Sequence, residues 1–119
     1  MPQVTARAMI AAVALMLSAE PAAADMEVTS GGDLIQDCRE YAKMAVGQTP
    51  NLRSVGICEG YIKGALDGHY NQGCWPAGAT IGQATFVVIK FLDENPYMQD
   101  LSAYLLVQTA LREAWACPK

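Results

Sequence analysis

CEGYIKGALDGHYNQGCWP (residues 58–76) gathers two cysteines, four glycines, the chain's single histidine and a tryptophan into one short stretch. Its reading decides the fold. A reactive centre around His69 would need a cleft and a set of partner groups, whereas a glycine-lined helix running into a stapled loop needs only a small helical bundle. The apolar positions Ile57, Cys58, Tyr61, Ile62, Ala65 and Leu66 recur at helical spacing. A helix is therefore expected from Leu52 or Ser54 to His69, followed by a loop over NQGCWPAGAT (71–80).

The flanking segments read the same way. Leu34, Cys38, Tyr41, Ala42 and Ala45 mark a helix between Gly32 and Val46, which GQTPN (47–51) ends because Pro50 cannot sit in a helix interior. Thr80 with Gln83 has the spacing of a capping box. It opens a third helix with Ile81, Ala84, Thr85, Val88, Ile89 and Leu92 on its inner face. The β-branched run at Val87–Ile89 would also suit a strand. Asn95-Pro96 is a stop and a fresh start, and a fourth helix follows from about Asp100 to Trp115, buried through Leu101, Leu105, Gln108 or Ala110, and Leu111. The expected fold class is all-α, a compact bundle of about four helices with short connections and antiparallel neighbours.

The four cysteines test this map. Cys38 lies ten residues before Gln48, the centre of the first inter-helix turn, and Cys58 ten after it. About Pro96, Cys74 lies 22 residues before and Cys117 21 after. Rise per residue is equal on both arms of a helical hairpin, so equal offsets set two residues side by side. The pairings Cys38–Cys58 and Cys74–Cys117 follow, each worth roughly 2 to 4 kcal/mol to so small a core. No CxxC pair suggests redox catalysis or zinc, and no cofactor is expected.

Disulfides also imply export. Arg7, the apolar run MIAAVALML (9–17) and Ala22-Ala23-Ala24 read as a secretory signal peptide over residues 1–24, cut before Asp25. The run is about half of what a bilayer span requires, so no stable membrane insertion is expected after cleavage. Residues 25–119 are enough for one small domain. The leader carries one base (Arg7) and one acid (Glu20), so the net charge of −4 is unchanged by its loss. With bases scattered singly, no nucleic-acid footprint is present.

The remaining conspicuous residues each admit a structural role. Gly56, Gly60, Gly64 and Gly68 are spaced by four and keep near one helix face, which suits close approach of another helix or of a partner protein. His69, the only histidine, lacks an activated serine or a free thiol to work with, so capping of a helix end, plain surface or partner contact is expected rather than catalysis. Asp67, beside a helix C-terminus, needs an answering group, either loop backbone around Gln72–Cys74 or a partner's arginine. Tyr61 and Trp115 read as core. Tyr70 and Trp75 flank the loop as interface anchors, with packing of Trp75 over the Cys74 bridge as the alternative. DENPYMQD (93–100) offers a second, acidic surface bearing Tyr97 and Met98. The chain reads as a binding protein and not an enzyme.

CEGYIKGALDG (58–68), CWPAGATIGQ (74–83), VIKFLDENP (88–96) and ALREAWACP (110–118), taken as a set, resemble the small exported immunity proteins of the Tai type. These neutralise peptidoglycan amidase effectors delivered by type VI secretion systems. The resemblance covers about Gly32 to Pro118. It implies a periplasmic, disulfide-bonded helical protein, a homodimer in some cases, that binds a cell-wall amidase by surface complementarity and blocks its active-site cleft. The alternative is an orphan periplasmic binding or structural protein of the same fold, of stress-related purpose and with no amidase target.

Overall fold

The chain starts its first helix by a reciprocal cap. Ser30 Oγ accepts the Asp33 backbone N–H while the Asp33 carboxylate accepts the Ser30 backbone N–H, satisfying donors that the first turn leaves without partners. The structure is a computed structural model that describes residues 27–68 and 74–119. It contains helix α1 (Gly31–Ala45), α2 (Leu52–Gly68), α3 (Ile81–Glu94) and α4 (Ala103–Ala114), with one 3-10 turn (Pro96–Met98) between α3 and α4. The signal peptide expected over 1–24, His69 and Tyr70 lie outside the described residues.

The helices form one bundle, with α1 against α2, α4 against α3, and α3 also touching α1 and α2. The expected all-α fold is thus the observed one, and the Val87–Ile89 run is helical. Thr80 and Gln83 make the expected capping box, and Gly47, in the left-handed region at φ 73°, follows the end of α1. The core is one cluster drawn from all four helices, including Leu34, Ile62, Val88, Leu92, Leu106 and Leu111. Among the described residues the two buried polar side chains, Thr85 and Gln108, are both satisfied. The Thr85 hydroxyl donates to the Ile81 carbonyl at 2.8 Å, and Gln108 Nε2 donates to the Ala65 carbonyl at 2.9 Å.

Both disulfides join the expected cysteines. Cys38–Cys58 ties α1 to α2 with Cα atoms 5.0 Å apart, and Cys74–Cys117 ties the segment entering α3 to the tail after α4 at 4.9 Å. Ahead of α1, a short extended segment pairs with the start of α4. Ala103 N–H donates to Thr29 O at 2.8 Å, Gly31 N–H to Leu101 O at 2.9 Å and Gly32 N–H to Gln99 O at 2.9 Å. Glu40 locks the α1–α2 hairpin, accepting from Lys43 Nζ at 2.6 Å and from the Asn51 backbone N–H at 2.8 Å.

Several expected burial positions shift. Leu101 and Leu105 are 43% and 48% exposed, not buried. Pairing with Thr29–Gly32 delays α4 to Ala103 and sets its rotation, so that Ala103, Leu106, Val107, Ala110 and Leu111 turn inward. In α2, Ile57 is exposed and Val55 takes the inner position, because the buried Cys58 bridge fixes which face meets α1. In α3, Phe91 joins the core and Ile81 and Ile89 stay half-buried.

The glycine row of α2 does not pack as a helix-packing row would. Among the described residues, a Cβ placed on Gly56, Gly60 or Gly64 would meet no atom within 4 Å, and one on Gly68 would meet the Tyr104 hydroxyl at 3.8 Å. The physical reason is the same Cys58 face. Val55, Cys58, Ile62 and Ala65 point inward, which leaves the row near the centre of the solvent side. The tight glycines are elsewhere. A Cβ on Gly31 would run into the Leu106 side chain, and one on Gly82 would lie 2.9 Å from the Tyr41 hydroxyl.

Candidate protein-docking surface

The open side of α2 runs into a groove. One wall is α2 itself, through Lys63, Leu66 and Asp67, and the other is the segment Trp75–Thr80 with Ile81 and Ala84 at the start of α3. Trp115, just past the end of α4, closes the base, and the groove encloses about 370 Å³. Towards the N-terminal half of α2 the hollow continues over Gly56, Glu59 and Gly60, meeting the groove at Lys63 and Ile81. Missing side chains at the glycines bring helix backbone to the surface, so an incoming segment can approach the α2 axis more closely than on an ordinary helix.

The far side of the groove is built by local chemistry. Gly78 takes φ 81°, a left-handed position that suits glycine, in a turn closed by the Ala79 N–H donating to Pro76 O at 3.0 Å. Trp75 lies edge-on against Trp115, ring centres 5.6 Å apart at 82°. Each tryptophan sits next to or two residues from a cysteine of the Cys74–Cys117 bridge, and both rings are half-buried against the core. Trp75 therefore packs beside the bridge, one of its two expected roles, and keeps an exposed part in the groove.

The other expected contact residues separate. Gln72 and Gly73, expected to answer Asp67, lie outside the described residues. The Asp67 carboxylate accepts from Lys63 Nζ one turn back, an exposed i,i+4 ion pair of small energetic weight. Tyr97 is 80% exposed, its hydroxyl donating to Asn95 Oδ1 at 3.1 Å. Met98 is not exposed beside it; the 3-10 turn swings this side chain onto the core. Tyr97 and Trp75 stand just past opposite ends of α3, roughly 20 Å apart for a helix of 14 residues. DENPYMQD and the groove are thus two surfaces. Tyr61 and Trp115, expected in the core, are half-buried at its edge, and burial raises the Tyr61 phenol above its usual value of 10.0.

Sequence reasoning missed Leu66, Pro76 and Ile81 as groove walls. Nothing in their spacing marks them, because they become neighbours only when the chain folds back at Cys74. Phe86, exposed on α3, lies edge-on to Tyr41 of α1 at 5.9 Å, a contact that only the packing of α1 on α3 creates.

The described residues thus form a four-helix bundle with two bridges and an open groove. Residues 30–117 match the Rap1a immunity proteins, and the chain belongs to that family. It is therefore a non-catalytic protein whose role is of the immunity type, an inhibitory protein–protein interaction. No curated protein and no solved structure matches it. Among the described residues no helix is long and apolar enough to cross a membrane.

Proposed function

We propose that this protein is exported by its 1–24 leader, matures as a single domain over 25–119 in the periplasm, and there neutralises a peptidoglycan amidase effector of a type VI secretion system. In this reading the protein occludes the effector's active-site cleft, docking through the groove between α2 and the Trp75–Thr80 wall. The observation that carries the location is the open helix face: among the described residues nothing lies within 4 Å of where a Cβ on Gly56, Gly60 or Gly64 would go, which an inhibitor surface would explain. Trp75 is the anchor of this surface, with Asp67 and Lys63 as a polar pair at its rim. His69 and Tyr70, next in the chain after α2, are proposed as further contacts. A homodimer belongs to the same reading, and Tyr97 with its acidic neighbours is left to that contact.

Affinity capture with oxidised mature protein as bait tests the proposal. A cell-wall amidase recovered stoichiometrically from native lysate, whose activity on peptidoglycan is titrated to zero at one equivalent, is the expected result. Recovery of an amidase that stays active in the complex would refute occlusion. Sedimentation of the bait alone reads the dimer.

A further inference from the structure

We infer that the two disulfides have different duties: Cys38–Cys58 holds the fold, and Cys74–Cys117 is a redox-labile clamp on the groove. Cys38 and Cys58 are both 0% exposed and belong to the core cluster, so an attacking thiolate reaches them only if α1 and α2 part. Cys74 and Cys117 are both exposed and lie outside every helix and outside the core. Attack on a disulfide depends on access as well as on thiol chemistry. The bridges therefore open in a set order.

The segments that the outer bridge joins rest on the bundle through Trp75 and Trp115, but little besides the bridge joins one to the other. Among the described residues, the main-chain hydrogen bonds of 74–80 and 115–119 outside the helices are the local Ala79–Pro76 turn, the bonds of Thr80 to Gln83 and Ala84 that cap α3, and the Trp115 N–H to Leu111 O bond at 2.9 Å, each of them within one segment and its adjoining helix. Beyond the bridge, the link is the edge-on contact of Trp75 with Trp115. In the reaction, one thiolate of a dithiol reductant attacks either sulfur of the pair and forms a mixed disulfide. The Sγ–Sγ bond breaks and the departing cysteine takes up a proton. The reductant's second thiolate then attacks the mixed disulfide, frees the other cysteine, which is also protonated, and leaves as its own disulfide. Two electrons and two protons pass to the protein, and the groove wall comes loose from its base while the bundle persists. The clamp rests on burial alone; its consequence for docking rests on the function proposed above.

The chain's only two tryptophans are the two at the clamp, so indole fluorescence reports on it directly. The oxidised protein is treated with dithiothreitol for increasing times, quenched with iodoacetamide and mapped by peptide mass, with fluorescence and far-ultraviolet circular dichroism followed in parallel. Cys74 and Cys117 should label roughly 100-fold faster than Cys38 and Cys58. The fluorescence change should track the first pair while the helical signal stays. Comparable labelling of both pairs, or helix loss in step with the first, would overturn the inference. So would failure of the Cys74→Ser/Cys117→Ser double variant to fold with its Cys38–Cys58 bridge intact. If the clamp opens as expected yet the reduced protein inhibits its amidase as well as before, the groove assignment fails and the clamp stands.

Discussion

Replacing Gly60 by alanine should stabilise this protein, and the same change at Gly31 should destabilise it. Gly60 lies in the middle of the 17-residue α2 with open space where a Cβ would go, and its φ is not positive. Alanine there gains about 0.8 to 1 kcal/mol of helix propensity, part of it through the unfolded chain. For a domain of this size about 1 kcal/mol corresponds to a rise in Tm of roughly 4 to 8 °C. The triple variant Gly56→Ala/Gly60→Ala/Gly64→Ala should gain about 2 to 3 kcal/mol if the three act independently. At Gly31 the added methyl meets the fully buried Leu106 side chain, with Leu92 Cδ2 at 3.3 Å and the Gln99 Cα at 3.4 Å. Overpacking of that kind costs about 1 to 3 kcal/mol. Thermal melts by circular dichroism, with both disulfides intact, read the sign directly. A lower Tm for Gly60→Ala would mean that the row is packed after all and that the open-face argument is wrong. If the row faces a partner, the triple variant should be more stable and yet capture its amidase less well, a combination that general damage to the fold does not produce.

Acid should weaken the fold through two carboxylates. The Lys43 hydrogen bond first, and the Asn51 N–H second, hold Glu40 below its ordinary 4.5, and the Ser30 hydroxyl and N–H hold Asp33 below 3.8. Both therefore bind protons less readily folded than unfolded, so their contribution is present above those ordinary values and is lost as pH falls through and below them. Glu40→Gln and Asp33→Asn should each flatten the decline of Tm with acid, and an unchanged profile would contradict the assignment. Gln108→Ala should cost about 1 to 3 kcal/mol, because the Ala65 carbonyl, among the last four of α2, loses its buried donor; a chemical-denaturation midpoint equal to that of the unaltered protein would show that water replaces it. Tyr97→Ala should change stability by no more than about 0.5 kcal/mol and leave amidase capture intact, while Trp75→Ala weakens capture; the reverse pattern in a pull-down would move the interface to the far end of α3.

Much of this was legible in the chain because it depends on local periodicity. Thr80 and Gln83 cap a helix wherever that helix ends up, and Asn95-Pro96 breaks one regardless of packing. The disulfide pairing was also readable, since equal offsets about a turn are a property of two rods of equal pitch. The Ser30–Asp33 box has the same kind of signal, and SGGD (30–33) carries it, but the following glycines obscure a helix start.

What spacing could not decide is which way each helix is turned. Ile57 and Val55, or Leu105 and Leu106, are equally apolar, and a helix of either phase satisfies the same pattern. The choice falls to contacts between residues far apart in the chain. The Cys38–Cys58 bridge turns Gly56, Gly60 and Gly64 to the open side, and the pairing of Thr29–Gly32 with Gln99–Ala103 sets α4. A glycine every fourth residue thus announces a helix face free of side chains; only the packed bundle determines whether that face meets another helix or water.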